Sequence, residues 1–92
     1  MNLPSRKPLS VLIVEDSVVV RARLRALLAE ETDVNVIAEA ASAVEAIERF
    51  NTHVPDAVVL DLQLASGSGL DVLHRIRQSA PQCVVIMLTN FA

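Results

Sequence analysis

Four polar residues stand directly after runs of apolar residues in this 92-residue chain: Glu15, Asp16, Asp61 and Thr89. Carboxylates that come together repel one another, and a divalent cation that prefers oxygen ligands, such as Mg²⁺, relieves that repulsion. A carboxylate beside Mg²⁺ can attack phosphorus and form an acyl phosphate. The Thr89 hydroxyl can donate to an oxygen of a phosphoryl group on Asp61. Each residue alone also fits a solvated loop start, but four of them after three apolar runs favour a site for Mg²⁺ and phosphoryl transfer.

The elements that must position these residues follow from the alternation of two kinds of segment. Short apolar runs predict four strands, Leu9–Val14, Val34–Ala40, Ala57–Leu60 and Cys83–Leu88. Helical spacing predicts three helices, one within Ser17–Glu30, one that begins after Ser42, and one between the turn Ser66–Gly69 and Pro81. Uninterrupted apolar strands indicate that both faces of the sheet are covered. The sequence therefore predicts an α/β fold of three layers, α/β/α, around a doubly wound parallel sheet.

The carboxyl ends of parallel strands form the edge where such sheets bind ligands. The four polar residues fall at those ends, so the predicted fold and the predicted site agree. The helical segments also predict the residues that face the sheet: Val20, Leu24, Leu27 and Leu28; Val44, Ile47 and Phe50; Leu70, Leu73 and Ile76. Arg21 and Arg25 are expected on the solvated side of the first helix. Ser42 and Glu45 predict a capping box in which Glu45 reaches back to the backbone N–H of Ser42.

Composition excludes several classes of protein. Apolar residues make up 52% of the chain and the mean hydropathy is +0.44, which argues against disorder. The longest apolar run, Cys83–Leu88, is far shorter than the roughly 18 residues of a membrane span. The net charge of −3 argues against general affinity for nucleic acid. A single cysteine, Cys83, indicates a buried, inert thiol and a cytoplasmic protein.

These residues give the chain a resemblance to the receiver domains of bacterial two-component response regulators. The segments that carry it are LIVEDS (Leu12–Ser17), VVLDLQL (Val58–Leu64), Gly69 and VIMLTNF (Val85–Phe91). The resemblance spans residues 9–91, so we expect a flexible leader at 1–8 and a receiver domain at 9–92. It implies a flavodoxin-like fold with strand order 2-1-3-4, in a protein that is a phosphoacceptor rather than an enzyme.

The resemblance also implies a role for each site residue. Asp61 accepts the phosphoryl group of a phosphohistidine on a sensor histidine kinase or a phosphotransfer protein. Glu15, Asp16, Asp61 and the backbone carbonyl of Gln63 bind Mg²⁺, and Thr89 contacts the phosphoryl group and couples it to the output face.

The chain departs from the family pattern at several points. Ala65 stands where proline is common, and Asn90 where a smaller residue is frequent. The family pattern continues past Ala92 with a fifth strand that bears a conserved lysine and with further helices, so we expect these elements to be missing from the 92 residues. The only lysine of the sequence is Lys7. We therefore expect an exposed fourth strand that supports a homodimer or a domain swap, or else an incomplete chain. The alternative function is a non-phosphorylated interaction or dimerisation module; a fragment of a flavodoxin-like enzyme fits less well, since acidic strand ends repel a flavin phosphate.

Overall fold

The structure, a computed structural model, describes residues 7–88. Strands and helices alternate along this part of the chain: β1 (Leu9–Val14), α1 (Val18–Ala29), β2 (Val34–Ala40), α2 (Ala43–His53), β3 (Ala57–Asp61), α3 (Gly69–Ser79) and β4 (Val84–Leu88). The predicted order of elements is confirmed. Three ends differ by one residue: β3 includes Asp61, β4 begins one residue after Cys83, and α3 begins at Gly69, the last residue of the predicted turn.

The four strands of the described residues form one parallel sheet in the order β2-β1-β3-β4, as the resemblance implied. β1 and β3 are its central strands and pair from Val11 with Ala57 to Val14 with Leu60. Their carboxyl ends are therefore adjacent, and the residues that follow Val14 lie beside Asp61. Asp61 in turn pairs with Leu88 at the end of β4. This register is what brings the polar residues of separate segments to one edge.

Each face of the sheet has its own apolar cluster, because successive strand residues point to opposite sides. On one face, Leu12, Val14, Val58 and Leu60 pack with residues of α2 and α3, such as Phe50. On the other face, the alternate residues Val11, Ile13, Ala57 and Val59 pack with Leu24 and Leu28 of α1. Burying a side chain of this size stabilises the fold by about 1.5–3 kcal/mol. The predicted three-layer, doubly wound architecture is confirmed.

The rotation of the helices differs from the prediction. Val20, Leu27, Val44 and Leu70 were expected to face the sheet and are instead 41–69% exposed. In α2 and α3 the inward stripe starts one residue earlier, at a small residue: Ala43, Ala46, Ile47 and Phe50 in α2, and Gly69, Val72, Leu73 and Ile76 in α3. The larger neighbours Val44 and Leu70 therefore point outward. In α1 no side chain is fully buried. Leu24 and Leu28 pack against the apolar cluster beneath the helix but are only partly buried.

Serine side chains begin two of the helices, since their oxygens accept N–H groups that the first turn leaves free. Ser17 accepts from Val20 N at 3.2 Å and Ser42 from Glu45 N at 3.2 Å. The expected return bond of the capping box is displaced by one residue. Glu45 Oε1 accepts from the N–H of Ala41 at 2.8 Å rather than from that of Ser42, so the cap also fixes the connection from β2.

Strand β4 forms one edge of the described sheet and exposes apolar side chains. Val84, Ile86 and Met87 are 57%, 52% and 49% exposed, as expected for a fourth strand without a neighbour on its outer side. Cys83, just before the strand, is a free and buried cysteine, also as expected. Within residues 7–88, none of the helices has the length and apolar character needed to cross a membrane.

Candidate metal centre

Three acidic side chains meet at the carboxyl edge of the sheet. Glu15 and Asp16 follow β1, Asp61 ends β3, and one carboxylate oxygen from each of the three lies within 4.8 Å of the other two. Glu15 and Asp61 are buried, with 6% and 7% of their surface exposed, whereas Asp16 is half-buried. They line an open cleft of about 480 Å³ together with Ser17, Val20, Gln63 and Leu88. The predicted convergence of the three carboxylates is confirmed.

Backbone N–H groups of the adjoining loops hold each carboxylate. Ser17 N donates to Glu15 Oε2 at 2.9 Å, Ala65 N to Asp16 Oδ2 at 3.1 Å, and Gln63 N to Asp61 Oδ1 at 2.9 Å. Each of these bonds engages one oxygen of the carboxylate. The loop after β3 therefore contacts the loop after β1, which orients the acids toward the same cleft.

The pKa values of Glu15 and Asp16 are shifted in opposite directions. Burial raises the pKa of Glu15, and the neighbouring Asp16 and Asp61 raise it further. The hydrogen bond with Glu15 lowers the pKa of Asp16, assisted by the N–H group of Ala65. A proton that enters this pair therefore binds to Glu15, while Asp16 keeps its charge. Such a cluster favours a cation, because the cation removes the repulsion among the carboxylates.

Replacing Glu15 with glutamine is expected to raise the melting temperature of the metal-free protein near neutral pH. Because the pKa of Glu15 is raised in the folded state, its ionisation disfavours folding. This cost is absent below its ordinary pKa and complete once the pH has risen through the folded-state value. Thermal unfolding in EDTA should show a gain of a few degrees near pH 7 that shrinks toward about pH 4, where carboxyl groups titrate.

The matched control for this measurement is Glu48→Gln, because Glu48 is exposed on α2 and is outside the acidic cluster. It should change the melting temperature little at either pH. Equal effects of the two variants, or a lower melting temperature for Glu15→Gln near neutral pH, would contradict the charge balance described for the site.

Gly69 allows α3 to begin directly against the end of β3. A Cβ atom at this position would overlap the carbonyl oxygen of Asp61 and lie 2.6 Å from Leu62 Cα. Gly67, two residues earlier, has a φ of +87°, which glycine adopts without strain. The predicted turn Ser66–Gly69 thus also brings the backbone of Gly69 close to that of Asp61 and Leu62. It fixes the loop whose N–H groups hold Asp16 and Asp61.

Arg21 lies at the site, contrary to the prediction of a solvated helix face. Its side chain is 19% exposed; Nη1 donates to the carbonyl oxygen of Glu15 at 2.7 Å and Nε to Glu39 Oε1 at 3.2 Å. Its contact with β2 depends on how α1 packs across the sheet, which helical spacing does not reveal. Arg25, which binds Glu39 Oε2 at 2.8 Å, is 55% exposed and fits the prediction better.

Two other predicted site residues have different outcomes. Gln63 lines the cleft and its N–H group binds Asp61, while the role of its carbonyl in metal binding stays a prediction. Thr89 lies outside the residues that the structure describes. Leu88, the residue before it, lines the cleft and is the register partner of Asp61.

Comparison with known proteins gives a match over nearly the whole chain. The family model for the response regulator receiver domain matches residues 11–92. A protein-glutamate methylesterase/protein-glutamine glutaminase of Rhizobium johnstonii is 37% identical over 89 residues, which are 97% of this chain and 24% of that protein. The response regulator VraR of Staphylococcus aureus is 34% identical over 83 residues, 90% of this chain and 40% of VraR. The chain thus spans less than half the length of these curated relatives.

Solved structures show the same similarity in three dimensions. A two-component response regulator of the LuxR family from Aurantimonas sp. SI85-9A1 superposes with a TM-score of 0.85 at 30% identity, covering 94% of this chain and 61% of that one. The response regulator domain of Thermotoga maritima CheB gives a TM-score of 0.82 at 28% identity, covering 90% and 61%. Both the sequence and the fold are therefore similar to those of receiver domains.

Proposed function

Because the chain belongs to the family of response regulator receiver domains, we propose that Asp61 accepts a phosphoryl group from a phosphohistidine. The donor is a sensor histidine kinase or a phosphotransfer protein of a two-component system. The observation that carries this proposal is the convergence of Asp61 with Glu15 and Asp16 within 4.8 Å at the carboxyl edge of the sheet. It favours phosphoryl chemistry over a module that only binds other proteins, since such a module has no need of three repelling carboxylates.

The donor set of the site fits Mg²⁺. Its oxygen ligands are hard, few and partly open to solvent, which suits an ion that keeps several water molecules. Glu15, Asp16 and Asp61 would hold the ion through their carboxylates, and Gln63 through its backbone carbonyl. When bound, Mg²⁺ neutralises negative charge on the acids and on the phosphoryl oxygens.

The transfer itself uses an oxygen of the Asp61 carboxylate as the nucleophile. That oxygen forms a bond to phosphorus as the bond between phosphorus and the imidazole nitrogen breaks, and the electron pair of the broken bond returns to the imidazole. The N–H group of Gln63 holds Asp61 Oδ1 at 2.9 Å, which orients the carboxylate for attack. Thr89 follows Leu88, the register partner of Asp61, and we assign its hydroxyl to the phosphoryl group as donor and switch.

Exposed apolar residues beside the acids support a protein as the phosphodonor. Val18 and Val19 at the start of α1 are 69% and 65% exposed, and Val20 lines the acidic cleft. A small phosphorylated molecule gains little from such a surface, whereas a partner protein buries it. We assign the start of α1 to contact with the kinase or phosphotransfer protein.

The experiment that tests the proposed function is exposure of the protein to acetyl phosphate, with Mg²⁺ or with EDTA. Intact mass spectrometry should show one added phosphoryl group in Mg²⁺, lost in hydroxylamine because an acyl phosphate is cleaved by this nucleophile. A phosphorylated histidine kinase should give the same product. An unmodified protein under all these conditions would contradict the proposal.

We further propose that the 92-residue chain self-associates through β4, by edge pairing or a domain swap. Within residues 7–88, β4 pairs with a strand on one side alone, and it exposes Ile86 and its apolar neighbours. An edge strand of this kind is a template for another strand. Sedimentation should show a dimer that Ile86→Lys converts to a monomer. The control is Leu27→Lys, which changes an apolar residue of 62% exposure on α1 and should leave the dimer intact. A wild-type monomer at all concentrations would contradict this proposal.

We also propose that this segment is not itself an enzyme, lies in the cytoplasm and does not bind nucleic acid. The Rhizobium relative is named as an esterase, but the chain aligns with 24% of it, so we assign this segment the role of phosphoacceptor rather than of an enzyme that turns over a substrate. A cytoplasmic location is supported by the free, buried Cys83, which suits a reducing compartment. The net negative charge of the chain argues against binding of nucleic acid by this segment.

A further inference from the structure

Arg21 connects the acidic site to the outer strand β2. Its guanidinium group donates through Nη1 to the carbonyl oxygen of Glu15 at 2.7 Å and through Nε to Glu39 Oε1 at 3.2 Å. Glu39, whose side chain is 25% exposed, also accepts from Arg25 Nη1 at 2.8 Å. One rigid, planar group thus links α1, the end of β1 and β2.

The carbonyl that Arg21 holds belongs to the peptide group between two of the proposed metal ligands. This group is planar, so a fixed oxygen at Glu15 also fixes the plane that continues into Asp16. The N–H group of Glu15 donates to Ala40 O of β2 at 3.0 Å. The backbone of Glu15 is therefore held on its amide side by a strand and on its carbonyl side by Arg21.

The charge of Arg21 is directed away from the carboxylates of the cluster. Among residues 7–88, the ion pair of its guanidinium group is with Glu39, and no ion pair joins it to Glu15, Asp16 or Asp61. A cation bound by the three acids thus meets no competing ion pair from Arg21. The arginine acts on the acids through their backbone, which is a positioning role.

We propose that Arg21 is a positioning residue of the acidic site, which sets the directions of the Glu15 and Asp16 carboxylates through the carbonyl of Glu15. This inference rests on the proposed function, because it assigns to Arg21 an effect on Mg²⁺ binding. Residues that form hydrogen bonds to metal ligands without contacting the metal typically contribute 10–100-fold to metal affinity. Arg21 contributes within that range.

The test compares Arg21→Gln with Arg25→Gln. Both variants remove one positive charge from α1 and one ion pair with Glu39, but only Arg21 touches Glu15. Isothermal titration with Mg²⁺ should show an affinity at least about tenfold lower for Arg21→Gln and about unchanged for Arg25→Gln. Arg21→Lys keeps the charge without the two-point geometry and should restore only part of the affinity. Chemical denaturation of each metal-free variant reports the loss of stability separately.

NMR spectra of the backbone amides in the metal-free protein test, in the absence of Mg²⁺, whether Arg21 orients the backbone of the acidic site. The N–H signals of Asp16 and Ser17 should shift in Arg21→Gln and stay in place in Arg25→Gln. Equal Mg²⁺ affinities of the two glutamine variants, or unmoved signals of Asp16 and Ser17 in Arg21→Gln, would overturn the inference. A wild-type protein that binds no Mg²⁺ overturns the proposed function instead, and the NMR comparison still decides whether Arg21 orients the acids.

Discussion

Replacing Asp61 with asparagine is expected to abolish phosphorylation of the protein completely. The amide lacks the anionic oxygen that attacks phosphorus, so no acyl phosphate forms with acetyl phosphate or with a phosphorylated kinase. The amide oxygen can still accept from Gln63 N, which now binds Asp61 Oδ1 at 2.9 Å, so the loop after β3 should keep its conformation. Intact mass spectrometry in Mg²⁺ measures the loss, and circular dichroism confirms the fold.

Asp33→Asn is the matched control for this prediction. Asp33 is exposed and precedes β2, at the amino end of the sheet and away from the acidic cleft. Its replacement changes the net charge by the same amount and should leave phosphorylation at the wild-type level. A phosphoryl group found on Asp61→Asn at wild-type yield would show that the acceptor is another residue and would remove the central assignment.

Replacing Asp16 with asparagine is expected to lower the affinity for Mg²⁺ at least about tenfold, a loss of about 1.4 kcal/mol or more. Asp16 is the acid whose pKa is lowered by its hydrogen bond with Glu15, so it is a fully ionised ligand before the cation arrives. Two unit charges about 4 Å apart attract by about 4 kcal/mol near a protein surface, and the cation carries two charges. Isothermal titration near neutral pH measures the change.

The pH dependence of Mg²⁺ binding tests the same set of ligands through Glu15. Burial and neighbouring acids raise the pKa of Glu15, so as the pH falls, a proton occupies Glu15 first and the Mg²⁺ affinity of the wild type declines. In Glu15→Gln this decline should be shallower. Asp33→Asn again serves as the control, with wild-type affinity throughout. Asp16→Asn with undiminished affinity would mean that the cation binds elsewhere.

The sequence was sufficient to predict the fold and the three acids. Apolar runs such as Leu9–Val14 predict central strands because both faces of the sheet require apolar residues. The strand order that the family resemblance implies places the third strand beside the first, and with that order Asp61 converges with Glu15 and Asp16, as the pairing of β1 with β3 confirms. The match to the receiver family over residues 11–92 agrees with the resemblance that these residues carry.

Details that depend on packing across the sheet could not be predicted from spacing. An inward stripe that begins at Ala43 or Gly69 differs by one residue from a stripe that begins at Val44 or Leu70, and the larger side chain is the misleading choice. The bond from Arg21 to Glu39 joins residues 18 positions apart, and it exists only because α1 packs beside β2. The close approach at Gly69 likewise becomes visible only when the backbone of Leu62 is in place.

Helix α1 buries none of its side chains fully, and this has a consequence for the dynamics of the molecule. Segments with few buried apolar contacts open locally at a lower free energy than the global unfolding of the domain. We therefore expect the amide hydrogens of α1 to exchange with solvent well before those of β1 and β3, whose residues Leu12 and Leu60 are fully buried. Each opening carries Arg21 away from the Glu15 carbonyl, so the loop of the acids becomes mobile while the central sheet stays folded.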